Sequence, residues 1–269
     1  MERNVRPAVR VGEPRPVLEV TDARCHVRHG DARKDIFTGL SLTLYAGQIV
    51  DLVGPSGSGK STLMECMAQL NADADATMTL DGRSTDGFTP EQWRTQVAYV
   101  PQRPVLMGGS VAEAIRYPFT LRVRRDSSVR VPDDDTLRRA LDDIGLDDVE
   151  LDRSPQDLSV GQQARVCLLR TLLTGPKVLL ADEVDAGLDP DNAMRAAHLL
   201  KRAADEGMAV CRVRHREPDG MATRTLELAD GVLTDITGRT AAGAARTAGA
   251  ANDTDTANDT DTTDTEAQA

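Results

Sequence analysis

The sequence predicts an α/β fold, a sheet interrupted by a helical insertion. Three observations lead there. IVDLVGPSGSGKSTLMECMAQL reads as a buried strand, a glycine-rich loop and a helix in direct succession. KVLLADE reads as a further buried strand and MAVCRVRH as another. Between these halves, residues 104 to about 157 instead carry helical segments and charged loops.

The elements follow in order. Residues 1–16 hold three prolines and four arginines without an apolar period, and are expected to form a loose arm. From Val17 the pattern turns strand-like, and SLTLYAGQIVDLV reads as strand, turn, strand. After the glycine-rich loop, Leu63, Met67 and Leu70 recur at helical spacing. TMTLDGR is an alternating strand closed by an Asp-Gly turn, and VAYVPQ a strand ended by Pro101. Within the insertion, DTLRRALDDIGL places leucines at 137, 141 and 146. LELADGVLTDI predicts a closing hairpin around Asp230-Gly231. Beyond Gly238 the chain is Ala, Thr, Asp, Asn and Gly, with NDTDT at 252–256 and again at 258–262. Residues 239–269 cannot bury enough apolar area to offset ordering entropy, and are expected to be disordered. Residues 17–238 are then one domain.

Charge and composition exclude several functions. Acidic residues outnumber basic ones 43 to 32, for a net charge of -11. Such a surface disfavours nucleic-acid backbones, which require a basic patch. The tail from Arg239 holds only six acids and two arginines, so most of the negative charge lies in the expected domain. Cys25, Cys66, Cys167 and Cys211 are far apart and form no CxxC or Cys/His cluster. No signal peptide precedes them. They are expected to be reduced, buried small hydrophobes in a cytosolic chain. No apolar run approaches the ~20 residues needed to span a bilayer, so any membrane passage must belong to another chain.

Two motifs carry phosphate chemistry. GPSGSGKS, Gly54 to Ser61, matches the P-loop pattern in full, with a strand before it and a helix after. Gly54, Gly57 and Gly59, with Pro55, Ser56 and Ser58 between them, allow successive N–H groups to face phosphate oxygens. The helix start at Lys60, Ser61 and Thr62 adds positive potential. Lys60 can reach β- and γ-phosphates, and the Ser61 hydroxyl can bind Mg²⁺. KVLLADE ends its apolar strand in two carboxylates. Beside a P-loop strand, Asp182 can hold Mg²⁺ and Glu183 can polarise the attacking water.

A third motif, LSVGQQAR at 158–165, also offers donors to an anion, and one chain has no evident need of two phosphate sites. In a chain with a P-loop, LSVGQQAR followed by KVLLADE resembles the signature of ABC-type ATPases. The resemblance covers roughly Val17 to Ile236. It implies a P-loop NTPase of ABC type: a mostly parallel sheet core, a small antiparallel β subdomain, and a helical subdomain at about 103–157 after the Q-loop. In that family two domains meet head to tail, and each signature closes over the ATP on the other subunit's P-loop. The resemblance thus assigns Ser159, Gly161 and Gln162 to a partner's nucleotide, and Asp189 to the D-loop at the dimer seam. It makes Gln102 the Q-loop glutamine, sensing Mg²⁺ and water, and His215 the switch residue that contacts the γ-phosphate. ATP and Mg²⁺ are the implied cofactors. The implied partners are a second copy of the chain and a separate transmembrane permease, with no nucleic acid. The implied location is cytoplasmic, on the inner face of the cell membrane. Two positions depart from the pattern. Val160 stands where the signature usually has glycine, tolerable if its φ is negative. His29 stands where the family usually stacks an aromatic ring on adenine.

The stretch Trp93 to Arg122 looks most like the short ATPases of the FetA (YbbL) type, which pair with a separate small membrane protein and are linked to metal, chiefly iron, export. ATPases of phosphate or amino-acid importers share much of this pattern. Soluble ABC ATPases acting on ribosomes or DNA resemble fused or coiled-coil-split domains, whereas this chain has one P-loop, one signature and no sustained heptads. An ordinary P-loop kinase does not explain LSVGQ, Gln102 and His215 together. Val105, Leu106 and Met107, just past Gln102, are expected to line a groove for the membrane partner.

Overall fold

Strand β3 (Ile49–Val53) stands inside a six-stranded sheet whose order is β10-β9-β3-β8-β7-β6. Its neighbours are β9 (Arg224–Ala229) and β8 (Ala209–Val213), followed by β7 (Val178–Asp182) and β6 (Val97–Val100). These five run parallel, and only β10 (Val232–Asp235) is antiparallel, paired with β9. The computed structural model describes residues 15–29, 32–125 and 128–238. Most of the arm at 1–16, the tail at 239–269 and the side chain of His29 lie outside the described residues.

Both faces of the sheet are covered, and the strands alternate accordingly. Val50, Leu52, Val178, Leu180, Cys211 and Val213 belong to one apolar cluster, while Ile49, Leu179, Ala181 and Val210 belong to the other. The first cluster is closed by helix α1 (Lys60–Met67) and by a second, antiparallel sheet of order β2-β1-β4-β5. That sheet comprises β1 (Pro16–His29), β2 (Ala32–Tyr45), β4 (Ala74–Leu80) and β5 (Arg83–Ser84). The Asp-Gly signal at Asp81-Gly82 is realised as a tight turn, both residues having positive φ. Short helix α2 (Pro90–Gln96) carries Trp93, fully buried with Nε1 donating to Met67 O at 2.8 Å.

The second cluster is covered by α3 (Val111–Arg116), α4 (Asp134–Asp143), α5 (Val160–Leu172) and α6 (Pro190–Asp205). Leu137, Leu141 and Leu146 are all buried there, although Leu146 lies beyond the end of α4. The helical layer therefore runs past residue 157, because α5 packs with the insertion as well as with the sheet. Two further expectations shift. β1 begins at Pro16, inside the expected arm, since Ala46 N donates to Arg15 O there. Helix α1 stops at Met67, because Gln69 turns to φ 54; Leu70 is then exposed rather than on the buried face. Among the described residues no helix is long and apolar enough to cross a membrane. All four cysteines are free and buried, as the spacing predicted.

Candidate active site

Parallel strands share one carboxyl end, and the sequence-predicted groups emerge there. The P-loop leaves β3, Gln102 follows β6, Asp182 ends β7 with Glu183 next, and His215 follows β8. In register, Leu52 and Asp182 both align with Val213, from opposite sides of β8.

The P-loop needs its glycines for two distinct reasons. Gly54 has φ 139, and a Cβ there would lie 2.1 Å from Leu228 O, so only glycine lets the loop pass β9. Gly59 has φ 99, and a Cβ there would lie 2.7 Å from Ile36 Cγ2. Lys60 is buried, and its Nζ donates to Gly54 O and Pro55 O, both at 2.9 Å. Burial pushes its ammonium below the usual lysine range, while the charges of Glu183 and Asp182 work in the opposite direction. Pro55, Ser56 and Gly57 are exposed, as is Ser61, the second residue of α1; Ser58 and Thr62 are half-buried.

Asp182 is buried, and its Oδ2 accepts from the Tyr99 hydroxyl at 2.9 Å. Burial, then the Asp182 charge, pushes the Tyr99 phenol up, so it remains a donor. Asp182 Oδ1 and Ser58 Oγ are buried polar atoms without a protein partner. A buried carboxylate oxygen left over beside the P-loop suits a hard cation or its water, so this donor set fits Mg²⁺.

Glu183 is held on both oxygens. Gln102 Nε2 donates to Oε2 at 2.5 Å, and His215 Nε2 lies 2.9 Å from Oε1. A carboxylate only accepts, so this contact is a hydrogen bond in the tautomer with a proton on His215 Nε2. The Glu183 backbone has φ 50, a left-handed conformation that costs a non-glycine residue about 1–2 kcal/mol. The strained turn directs the carboxylate between two loops.

The signature lies on a separate element. Ser159 caps α5, accepting from Gln162 N at 3.2 Å while Gln162 Oε1 accepts from Ser159 N at 2.9 Å. This reciprocal cap satisfies two helix-end donors. Val160 is the first helical residue, outside the left-handed region, so its departure from glycine carries no backbone strain. Its side chain is 77 % exposed. Gly161 also serves packing within its own chain. A Cβ there would lie 3.1 Å from Leu188 Cδ2, so the missing side chain lets α5 pack against the turn before α6. Asp189 caps α6, accepting from Asn192 N at 3.0 Å and Asn192 Nδ2 at 2.6 Å. These hydrogen bonds hold its carboxyl below the ordinary range. Among the described residues no side-chain hydrogen bond or ion pair joins Ser159, Gly161 or Gln162 to the P-loop or to Glu183.

Sequence reasoning missed Tyr99 and Arg165. Arg165 is buried, and its Nη1 donates to Ile144 O, Gly145 O and Asn192 Oδ1, tying the signature helix to the cap of α6. Its place one helical turn after Gly161 in LSVGQQAR is the signal that could have found it.

Known proteins show which family this fold belongs to. The family model described as ABC transporter matches residues 37–186. The chain is 33% identical over 187 residues to the probable iron export ATP-binding protein FetA of Escherichia coli K12, covering 69% of this chain and 80% of that one. It is 33% identical to the lipoprotein-releasing system ATP-binding protein LolD of Nitrobacter hamburgensis, covering 80% and 89%. It is 32% identical to the macrolide export ATP-binding/permease protein MacB of Azoarcus, but spans only 34% of that longer protein. Among solved structures, an ATP-binding subunit of an ABC transporter superposes with TM-score 0.68 at 22% identity, covering 82% of this chain and 90% of that one. A dimeric ATP-binding cassette in a post-hydrolysis state with ADP and Pi superposes with TM-score 0.67 at 22% identity, covering 82% and 99%. With its P-loop, Asp182–Glu183 pair and signature helix on that fold, the chain belongs to the ABC transporter family of ATP-binding proteins.

Proposed function

We propose that this ATPase closes with a second copy of itself, head to tail, around two ATP, and drives a separate membrane-spanning protein from the inner face of the membrane. The observation that carries the reading is the signature helix. Ser159 and the exposed Val160 open an anion-favouring helix start with no link to their own P-loop. A phosphate site so placed suits a nucleotide brought by another copy.

Within each site the residues divide the work. The P-loop amides and Lys60 bind the phosphates, and releasing Lys60 from Gly54 O and Pro55 O frees its ammonium for them. Asp182 and Ser61, with Gln102, would hold Mg²⁺, which supplies positive charge against the β- and γ-phosphate oxygens. Glu183 orients the attacking water and accepts its proton. Gln102 and His215 hold that carboxylate in place, and with nucleotide bound His215 would contact the γ-phosphate. Asp189 stands at the seam between copies.

Val105 and Met107 are 72 % and 50 % exposed just beyond Gln102, and form an apolar surface for a helix of the membrane partner. Leu106 instead packs into the helical layer. For the cargo we favour metal, chiefly iron, moved outward. The likeness to FetA over most of its length supports this, and the names of LolD and MacB also describe release or export.

Sedimentation of Glu183→Gln with ATP and Mg²⁺ tests the assembly: a dimer is expected, and a monomer at saturating ATP overturns it. Cells lacking the chain should accumulate iron; unchanged iron content overturns the cargo reading and leaves the assembly standing.

A further inference from the structure

Five charged side chains run beneath the catalytic edge, and no step above uses them. Asp51 interrupts the apolar strand IVDLV and Arg212 interrupts AVCRV. The two stand directly opposite each other in the β3–β8 register. Arg212 Nε donates to Asp51 Oδ1 at 2.6 Å, and its Nη2 to Asp219 Oδ1 at 2.7 Å. Arg214 continues the line. Its Nη1 lies 2.7 Å from Asp219 Oδ2, and its Nε donates to Asp185 Oδ2 at 3.1 Å. The Arg214–Asp219 approach is a charge contact without hydrogen-bond alignment, since both atoms are left without a bonded partner. Side-chain exposure across the five runs from 4% to 14%, so water screens none of these charges well.

Burial pushes the Asp51 carboxyl up, with Arg212 opposing. Burial also works against ionised Asp219, but Arg212 and the Met221 N–H outweigh it and hold that carboxyl below its ordinary value.

The line links two catalytic loops. Asp185 lies two residues after Glu183, and Arg214 directly precedes His215. A second clasp closes the same pair of loops: Arg216 donates to Leu188 O. By contrast, the direct His215–Glu183 contact has His215 46% exposed, and exposed pairs of this kind contribute little on their own. Buried ions cannot be parted without stranding a charge in low dielectric, so buried pairs keep two loops together far more firmly.

We propose that Arg214 is a positioning residue: braced by Asp219 on its own loop, it locks the loop carrying His215 to the loop carrying Glu183 through Asp185, and so sets the geometry of hydrolysis. The inference concerns ATP hydrolysis and does not depend on the cargo or the membrane partner. Steady-state hydrolysis by the full-length chain tests it, with Arg214→Gln, Asp185→Ala and the double variant compared after thermal melts establish folding. Each single variant should lower kcat about tenfold or more with KM for ATP within about twofold. The double variant should be no slower than the slower single, because both changes remove one interaction. Relative to Asp185→Ala, Asp185→Asn keeps an oxygen acceptor for Arg214 but not the charge, and should recover part of kcat. Folded single variants with kcat within about twofold of the parent overturn the proposal, as do losses that multiply in the double variant. If Arg214→Gln does not fold, Asp185→Ala against Asp185→Asn decides: a kcat difference supports the lock, and equal kcat overturns it.

Discussion

His215 Nε2 lies 2.9 Å from Glu183 Oε1, while Gln102 Nε2 holds the other carboxylate oxygen at 2.5 Å. Three loops from three strands therefore converge on one carboxylate. Glu183→Gln removes the proton acceptor but keeps an oxygen for His215. Turnover should fall by roughly 10²–10⁴, the usual contribution of a positioned base, with ATP affinity retained. Single-turnover hydrolysis alongside equilibrium nucleotide binding checks both halves. Activity within about threefold of the parent would remove Glu183 from the base role.

Ser159 caps α5, and two substitutions separate that structural part from its proposed part in binding the other copy's nucleotide. Ser159→Ala loses the cap on Gln162 N and should cost about 1 kcal/mol of stability. Ser159→Arg places bulk at the exposed helix start and should block closure of the pair. ATP binding at the P-loop should survive, whereas Lys60→Ala should weaken it directly. Equilibrium ATP binding by each variant is the measurement, and equal loss in both would argue against a site shared between copies.

The surface beyond Gln102 divides by exposure. Val105→Asp and Met107→Asp should abolish co-purification with the membrane partner without lowering the melting temperature. Leu106→Asp should instead destabilise the chain by about 1–3 kcal/mol, since Leu106 packs against the helical layer. Pull-down together with thermal melts distinguishes these outcomes. Retained assembly by both exposed variants would place docking elsewhere.

Alkaline pH should loosen the fold through its buried thiols. Burial pushes Cys66 up to about 11 and Cys211 to about 12, from an ordinary 9.0. Below pH 9 both folded and unfolded thiols are protonated, and the full stability is present. Between pH 9 and about 11 only the unfolded chain releases these protons, so stability falls as pH rises. Thermal melts from pH 8 to 11 should show that decline, reduced in Cys211→Ala relative to its own value at pH 8. Native thiols should also resist alkylation at pH 8, and rapid labelling of Cys211 in the folded chain would contradict its burial.

Contiguous patterns carried much of this protein. GPSGSGKS between an apolar strand and a helix, KVLLADE, and the Asp-Gly turns act over a few residues, where backbone sterics and hydrogen bonding settle the outcome locally. The helical insertion was legible in the helical segments and charged loops of residues 104 to about 157, and the mostly parallel core was implied by the family resemblance. Strand order across the sheet decided the rest. Gln102, Glu183 and His215 meet because β6, β7 and β8 are neighbours, and that adjacency arises from packing segments far apart in sequence. The same holds for Gly161, whose role depends on where Leu188 comes to rest. Asp51 and Arg212 each interrupt an apolar strand, and the sequence reading singled out neither. Only the β3–β8 register places them opposite each other, and only burial makes their charges costly to separate.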